Sequence, residues 1–100
     1  MRALTNVLCV ALLVVGCSAR VETPREMCRM NLSVIDAATQ QWAMEHHVAT
    51  NQVPTWEDIR PYFKVMGFEE RNLKCPEAGT YTLSGSGGLP TCSVSGHTLK

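Results

Sequence analysis

Five cysteines and three histidines are the residues of this 100-residue chain best suited to chemistry. Cys9 and Cys17 fall in an apolar N-terminal segment, which leaves Cys28, Cys75 and Cys92 to accompany His46, His47 and His97. Thiols with imidazoles raise the question of zinc. Zinc sites built on thiols usually draw them from close pairs such as C-x-x-C, so that one turn delivers two donors. No close cysteine pair occurs here. His46 and His47 are adjacent, so on a helix their side chains point about 100° apart and do not converge. His97, near the C-terminus, reads as a solvated imidazole. The expectation is no metal site and no cofactor. A catalytic thiol needs a positioned base and a lowered pKa, and a C-x-x-C redox motif is absent. Asp36, Glu57 and Asp58 read as solvated charges on helix surfaces, and Trp42 and Trp56 as core anchors. A non-enzyme without catalytic residues is expected.

The compartment decides what the thiols do. Residues 1–16 open with one positive charge at Arg2, continue through an apolar core to Val15 and end on small Gly16, the build of a secretory signal peptide. The apolar stretch spans about 14 residues and includes Thr5 and Asn6, too short for the roughly 20 apolar residues of a membrane span. Val14-Val15-Gly16-Cys17 resembles the bacterial lipobox. That resemblance implies cleavage before Cys17 and acylation of its thiol with diacylglyceryl, palmitate being the label that would report it. Cys17 is then the lipid anchor, residues 17–23 a polar tether and residues 24–100 the domain, held in the cell envelope outside the cytoplasm. An ordinary signal peptide cut elsewhere would leave Cys17 a plain thiol.

Thiols exported to an oxidising compartment tend to pair. Cys28, Cys75 and Cys92 allow three single bridges. Cys75 and Cys92 bracket the C-terminal hairpin, so a bridge between them needs no distant element to move. It would contribute about 3 kcal/mol in the chain-entropy model. Cys28 is then a small buried hydrophobe. The alternative is a bridge from Cys28 that pins the helix to the sheet. About 84 residues remain after cleavage, enough for one small domain. Such a domain buries only about 60% of its unfolded surface, so a covalent staple matters. The net charge of zero offers no electrostatic case for nucleic acid.

The elements that position these residues can be read from periodicity. Thr23-Pro24-Arg25-Glu26 is a helix start, with a capping threonine, proline at the first helical position and Glu26 three residues on. Cys28, Leu32, Ile35 and Trp42 then form a narrow apolar stripe, with Ala38 on its flank and Thr39 within it. The pattern predicts a long amphipathic helix of roughly six turns ending near His47. Thr55 caps a second helix carrying Trp56, Ile59 and Phe63, which Pro61 should break or kink after one turn. Thr80 to Leu83 and Thr91 to Val94 read as two short strands, joined by a loop from Ser84 to Pro90. The expected fold class is α+β: a long helix, a short helix and a small antiparallel hairpin.

Asn31-Leu32, Ile35-Asp36-Ala37-Ala38, Gln41-Trp42-Ala43, Val53-Pro54-Thr55-Trp56 and Pro61-Tyr62-Phe63-Lys64 occur in order along the first part of this chain. Lys74-Cys75-Pro76-Glu77-Ala78-Gly79-Thr80-Tyr81-Thr82-Leu83 and Pro90-Thr91-Cys92-Ser93-Val94-Ser95-Gly96-His97-Thr98-Leu99 follow. Together they span about 70 residues and resemble the soluble domains of pseudopilin-like proteins, in the type IV pilin and type II secretion pseudopilin superfamily. The resemblance implies a helix packed on a small antiparallel sheet, no catalytic residues and a place in an envelope assembly such as a secretion or type IV pilus apparatus. It breaks at the N-terminus, where pseudopilins carry a Gly-Phe-Thr-Leu-Ile-Glu-type processing motif and an apolar half-helix that builds the filament. A lipobox-like signal stands in their place. The expected function is a membrane-anchored lipoprotein that binds a protein partner in the envelope, with no small-molecule substrate. The alternative is a cell-surface module for a small ligand or glycan.

Overall fold

The computed structural model describes residues 23–99. Residues 1–16, read above as a signal peptide, Cys17 and most of the stretch read as a tether lie outside the described residues, as does Lys100. The described chain is α+β: helix α1 (Pro24–His46), helix α2 (Trp56–Val65), a 3-10 turn (Glu70–Asn72), then strands β1 (Tyr81–Thr82) and β2 (Thr91–Cys92). No helix among the described residues is long and apolar enough to cross a membrane.

Helix α1 begins where its capping signal stands. The Thr23 hydroxyl accepts from the Glu26 N–H at 3.2 Å, and Pro24 follows at the first helical position, where its missing N–H costs nothing. Cys28, Leu32, Ile35, Ala38, Thr39, Trp42 and Ala43 are the buried face. Thr39 satisfies its hydroxyl by donating to the Ile35 carbonyl one turn back, at 2.9 Å, so a polar residue sits in the stripe without an orphaned group. His47 ends the helix in the left-handed conformation, φ 51°.

Helix α2 departs from expectation. Pro61 lies inside it, yet the helix runs on to Val65. Proline removes one helical hydrogen bond and crowds the preceding turn, a cost of about 3 kcal/mol. Pro61 faces solvent, whereas Ile59 and Phe63 are fully buried against Ile35, Ala38 and Trp42 of α1. Burial of these two side chains holds the turn that proline weakens. Both ends are also secured. Thr55 and Asp58 form a full capping box, with Asp58 N–H to Thr55 Oγ1 at 3.2 Å and Thr55 N–H to Asp58 Oδ2 at 2.9 Å. At the other end Gly67 adopts φ 85°, and the N–H groups of Gly67 and Phe68 return to the carbonyls of Lys64 and Phe63. That is a Schellman closure.

The sheet is smaller than the apolar pattern predicts. Among the described residues only Tyr81↔Cys92 and Thr82↔Thr91 pair, antiparallel. The hairpin gains two further links beyond the paired residues. Ser93 N–H donates to the Thr80 carbonyl, and Thr80 N–H to the Ser93 hydroxyl. Side chains of α1 dock this hairpin. Asn31 donates to the Lys74 carbonyl and the Tyr81 hydroxyl, both at 3.1 Å, and Gln40 donates to the Ser86 carbonyl at 2.7 Å. The larger core cluster joins α1 to α2. A second gathers Cys28, Leu32 and Cys75 under Tyr81, Cys92, Val94 and Leu99.

Candidate thiol–imidazole centre

The second cluster holds the chemistry. Cys28 comes from the first turns of α1 and is fully buried. Cys75 follows the 3-10 turn, Cys92 ends β2, and His97 lies on the segment after it. Their donor atoms all lie within 4.8 Å of one another. His97 is 3% exposed. Its Nδ1 stands 3.4 Å from the Cys75 Sγ, and its Nε2 is 2.7 Å from the Glu77 carboxylate. With Nε2 against Glu77, the ring turns its Nδ1 toward the thiols, and in the tautomer protonated at Nε2 that nitrogen offers a lone pair.

Two tight turns build this geometry. After Cys75 the chain reverses through Ala78, whose N–H returns to the Cys75 carbonyl at 3.0 Å and whose φ is 62°. This turn aims the backbone N–H groups of Glu77 and Gly79 at the Cys75 sulfur. After Cys92 the chain reverses through Gly96 at φ 84°, and His97 N–H returns to the Val94 carbonyl at 3.2 Å. Gly79 completes the cradle. A Cβ there would stand 2.6 Å from the Cys92 sulfur and 3.1 Å from that of Cys75.

The thiols are differentiated. Burial pushes the Cys28 thiol up to about 12, against a smaller opposing contact from Tyr81. Burial also acts to raise Cys75, but the N–H groups of Glu77 and Gly79, with Cys92 and His97, outweigh it and bring that thiol down to about 7. The same site thus holds one thiol reluctant to ionise and one that ionises readily.

The expected Cys75–Cys92 bridge is not formed, nor is either bridge from Cys28: all three cysteines are free and none is at disulfide distance from another. The hairpin turns place the sulfurs around a shared centre rather than against each other. His97 is likewise buried rather than solvated, because the turn at Gly96 folds it back under the sheet. The expectation of no metal site rested on the lack of a close cysteine pair, the adjacency of His46 and His47 and a solvated His97; the fold brings together by tertiary contact three thiols and an imidazole that sequence spacing keeps apart. One local signal pointed this way. Cys92 and His97 are separated by four residues, a spacing by which one turn can deliver two ligands. Nothing in the spacing pointed to Glu77 or Cys28.

The other residues read as bearing on chemistry stay apart from this centre. His46 and His47 are exposed at the end of α1, with the His46 ring 6.3 Å from that of Trp42. Trp42 is buried in the main core, and Trp56 packs at 6.4 Å from Phe63. Asp58 serves its capping box, and Asp36 accepts from Gln40. Comparison with protein-family models, curated proteins and solved structures finds no match to this chain.

Proposed function

We propose that this chain is an exported, non-enzymatic lipoprotein, anchored through Cys17, whose pseudopilin-like domain binds a protein partner in the cell envelope, in a secretion or type IV pilus apparatus. The observation that carries the binding role is the set of large apolar side chains left exposed on the two helices. Met27, Met30 and Met44 fall on one side of α1 at about 100° per residue and are exposed. A groove between α1 and α2 is lined by Ala37, Pro61, Tyr62, Val65 and Met66 together with the polar Gln41 and Glu45, and Val65 is 86% exposed. Several exposed apolar side chains on so small a domain suit an interaction surface, and methionine adapts well to a protein partner. The order of elements, a long helix followed by a small antiparallel hairpin, supports the pseudopilin-like reading.

The test has two arms. Cells expressing the chain are fed labelled palmitate, and the membrane fraction is compared for wild type and Cys17→Ser. Incorporation and membrane retention that vanish in the variant support the anchor; no incorporation in wild type overturns it. Separately, a photo-crosslinker at Met30 or Val65 should trap one envelope protein at defined stoichiometry, and Met30→Glu should abolish the adduct. Trapping no protein while binding a small ligand or glycan would overturn the protein-binding role.

A further inference from the structure

We propose that Cys28, Cys75, Cys92 and His97 bind one Zn²⁺ ion as a closed, structural Cys₃His centre that ties α1 to the C-terminal hairpin.

The donor set is the first argument. Three thiols and one imidazole, drawn from a helix, a turn, a strand end and a C-terminal segment, converge within 4.8 Å. A tetrahedral zinc with Zn–S of about 2.3 Å and Zn–N of about 2.0–2.1 Å holds its donors roughly 3.5–3.8 Å apart. The Cys75 Sγ to His97 Nδ1 distance of 3.4 Å is already close to that edge. Soft thiolates with imidazole select zinc over calcium or magnesium, which take oxygen donors.

The surroundings are the second. Metal-bound histidine commonly donates its other N–H to a carboxylate, which fixes the ring's tautomer and aim. Glu77 does this at 2.7 Å, leaving Nδ1 facing the sulfurs. The N–H groups of Glu77 and Gly79 point at the Cys75 sulfur and would offset thiolate charge. Gly79 has no room for a Cβ against the cluster, so the backbone comes as near the sulfurs as it can. Leu32, Tyr81, Val94 and Leu99 pack around the centre and shield it from water.

A disulfide accounts for less. Any one bridge uses two thiols and leaves a third thiol, His97 and the Glu77 contact without a role. Zinc uses all four donors. Binding is proton-balanced: three S–H groups release three protons to solvent, neutral His97 gives its Nδ1 lone pair, and no oxidant is required. All four positions are protein-filled, so the site is structural rather than catalytic. Its role is to hold the first turns of α1 to β2 in a domain with only two ladder pairs. The four donors converge in the same way whether or not the chain is anchored through Cys17.

The experiment uses the full chain, isolated without chelator or reductant. Metal is measured by elemental mass spectrometry, and alkylation of Cys28, Cys75 and Cys92 is mapped before and after chelation. One zinc per chain is expected, with the three thiols protected until the metal is removed and no mass loss of two hydrogens. Cobalt in place of zinc should give the absorption of a tetrahedral thiolate site. Glu77→Gln keeps every donor and should bind zinc about 10–100-fold more weakly in competition with a chromophoric chelator. His97→Ala should weaken it further. A chain without zinc that stays metal-free when reduced and titrated with zinc chloride overturns the proposal. So does a mapped disulfide among the three cysteines, or zinc affinity unchanged in both variants.

Discussion

Gly79 lies against Cys92 so closely that a single added carbon would stand 2.6 Å from the cysteine sulfur and 2.7 Å from Val94 Cγ2. The contact joins the turn after Cys75 to the end of β2, the two segments that bring three of the four donors together. Cys92 sits on the paired strand β2 and Val94 just beyond it, both packed against the second core cluster, so they cannot yield cheaply. Gly79→Ala should therefore lower stability by about 1–3 kcal/mol, the usual cost of overpacking. Denaturant unfolding of the two proteins side by side is the measurement; an unchanged midpoint would show that the turn relaxes freely.

Ala78 presents the opposite case. It holds φ 62°, where an L side chain crowds its own backbone by roughly 1–2 kcal/mol. Ala78→Gly removes that strain but loosens the unfolded chain by about 0.4–1 kcal/mol. A net gain of up to about 1.6 kcal/mol is expected in the same unfolding assay. A loss would mean that the Ala78 methyl contributes packing that outweighs its strain.

Helix α2 separates a helix-breaking residue from the packing that overrides it. Phe63 is fully buried between α2 and α1, so Phe63→Ala should cost about 3–5 kcal/mol. Pro61 is exposed, and Pro61→Ala should stabilise by at most about 3 kcal/mol as the helical bond is restored. Far-ultraviolet dichroism should show helix retained in the Pro61 variant and reduced in the Phe63 variant. The reverse order of stabilities would contradict the account of why the helix continues.

Tyr62 links the two helices by donating its hydroxyl to the Glu45 carboxylate at 3.3 Å. Burial, then the Glu45 charge and this hydrogen bond, raise the phenol above its ordinary value of 10.0. A raised folded pKa means that the unfolded chain loses this proton first as pH climbs. The contribution is complete below about pH 10 and fades as pH rises through the folded value. Stability measured across the alkaline range should fall less steeply for Tyr62→Phe than for wild type above pH 10. Parallel curves would show that Glu45 does not hold the proton on Tyr62.

Much of the helical fold could be read along the chain. Thr23 and Pro24 start α1, and Thr55 with Asp58 starts α2, because caps act within one turn. The stripe from Cys28 to Trp42 faces the core because residues three and four apart share a helix face. Thr39 looked like a flaw in that stripe, yet its partner, the Ile35 carbonyl, is also one turn away. Pro61 misled because its local cost is real, while the burial of Ile59 and Phe63 that exceeds it depends on a second helix. The strands were placed correctly but drawn too long, since residue type favours extended backbone without deciding how many rungs find a partner.

What the sequence determined by itself was local: where helices begin, which faces are apolar, and that three thiols and a C-terminal histidine were available. Whether those four met was decided only by tertiary structure. Cys28 reaches Cys75 because Asn31 and Gln40 hold the hairpin against α1. Cys92 reaches His97 because Gly96 turns the chain at positive φ. His97 faces the sulfurs because Glu77 occupies its other nitrogen. Each of these steps depends on groups far apart in sequence or on backbone angles that spacing does not encode. A search by close cysteine pairs therefore sees separate residues where the fold makes one centre.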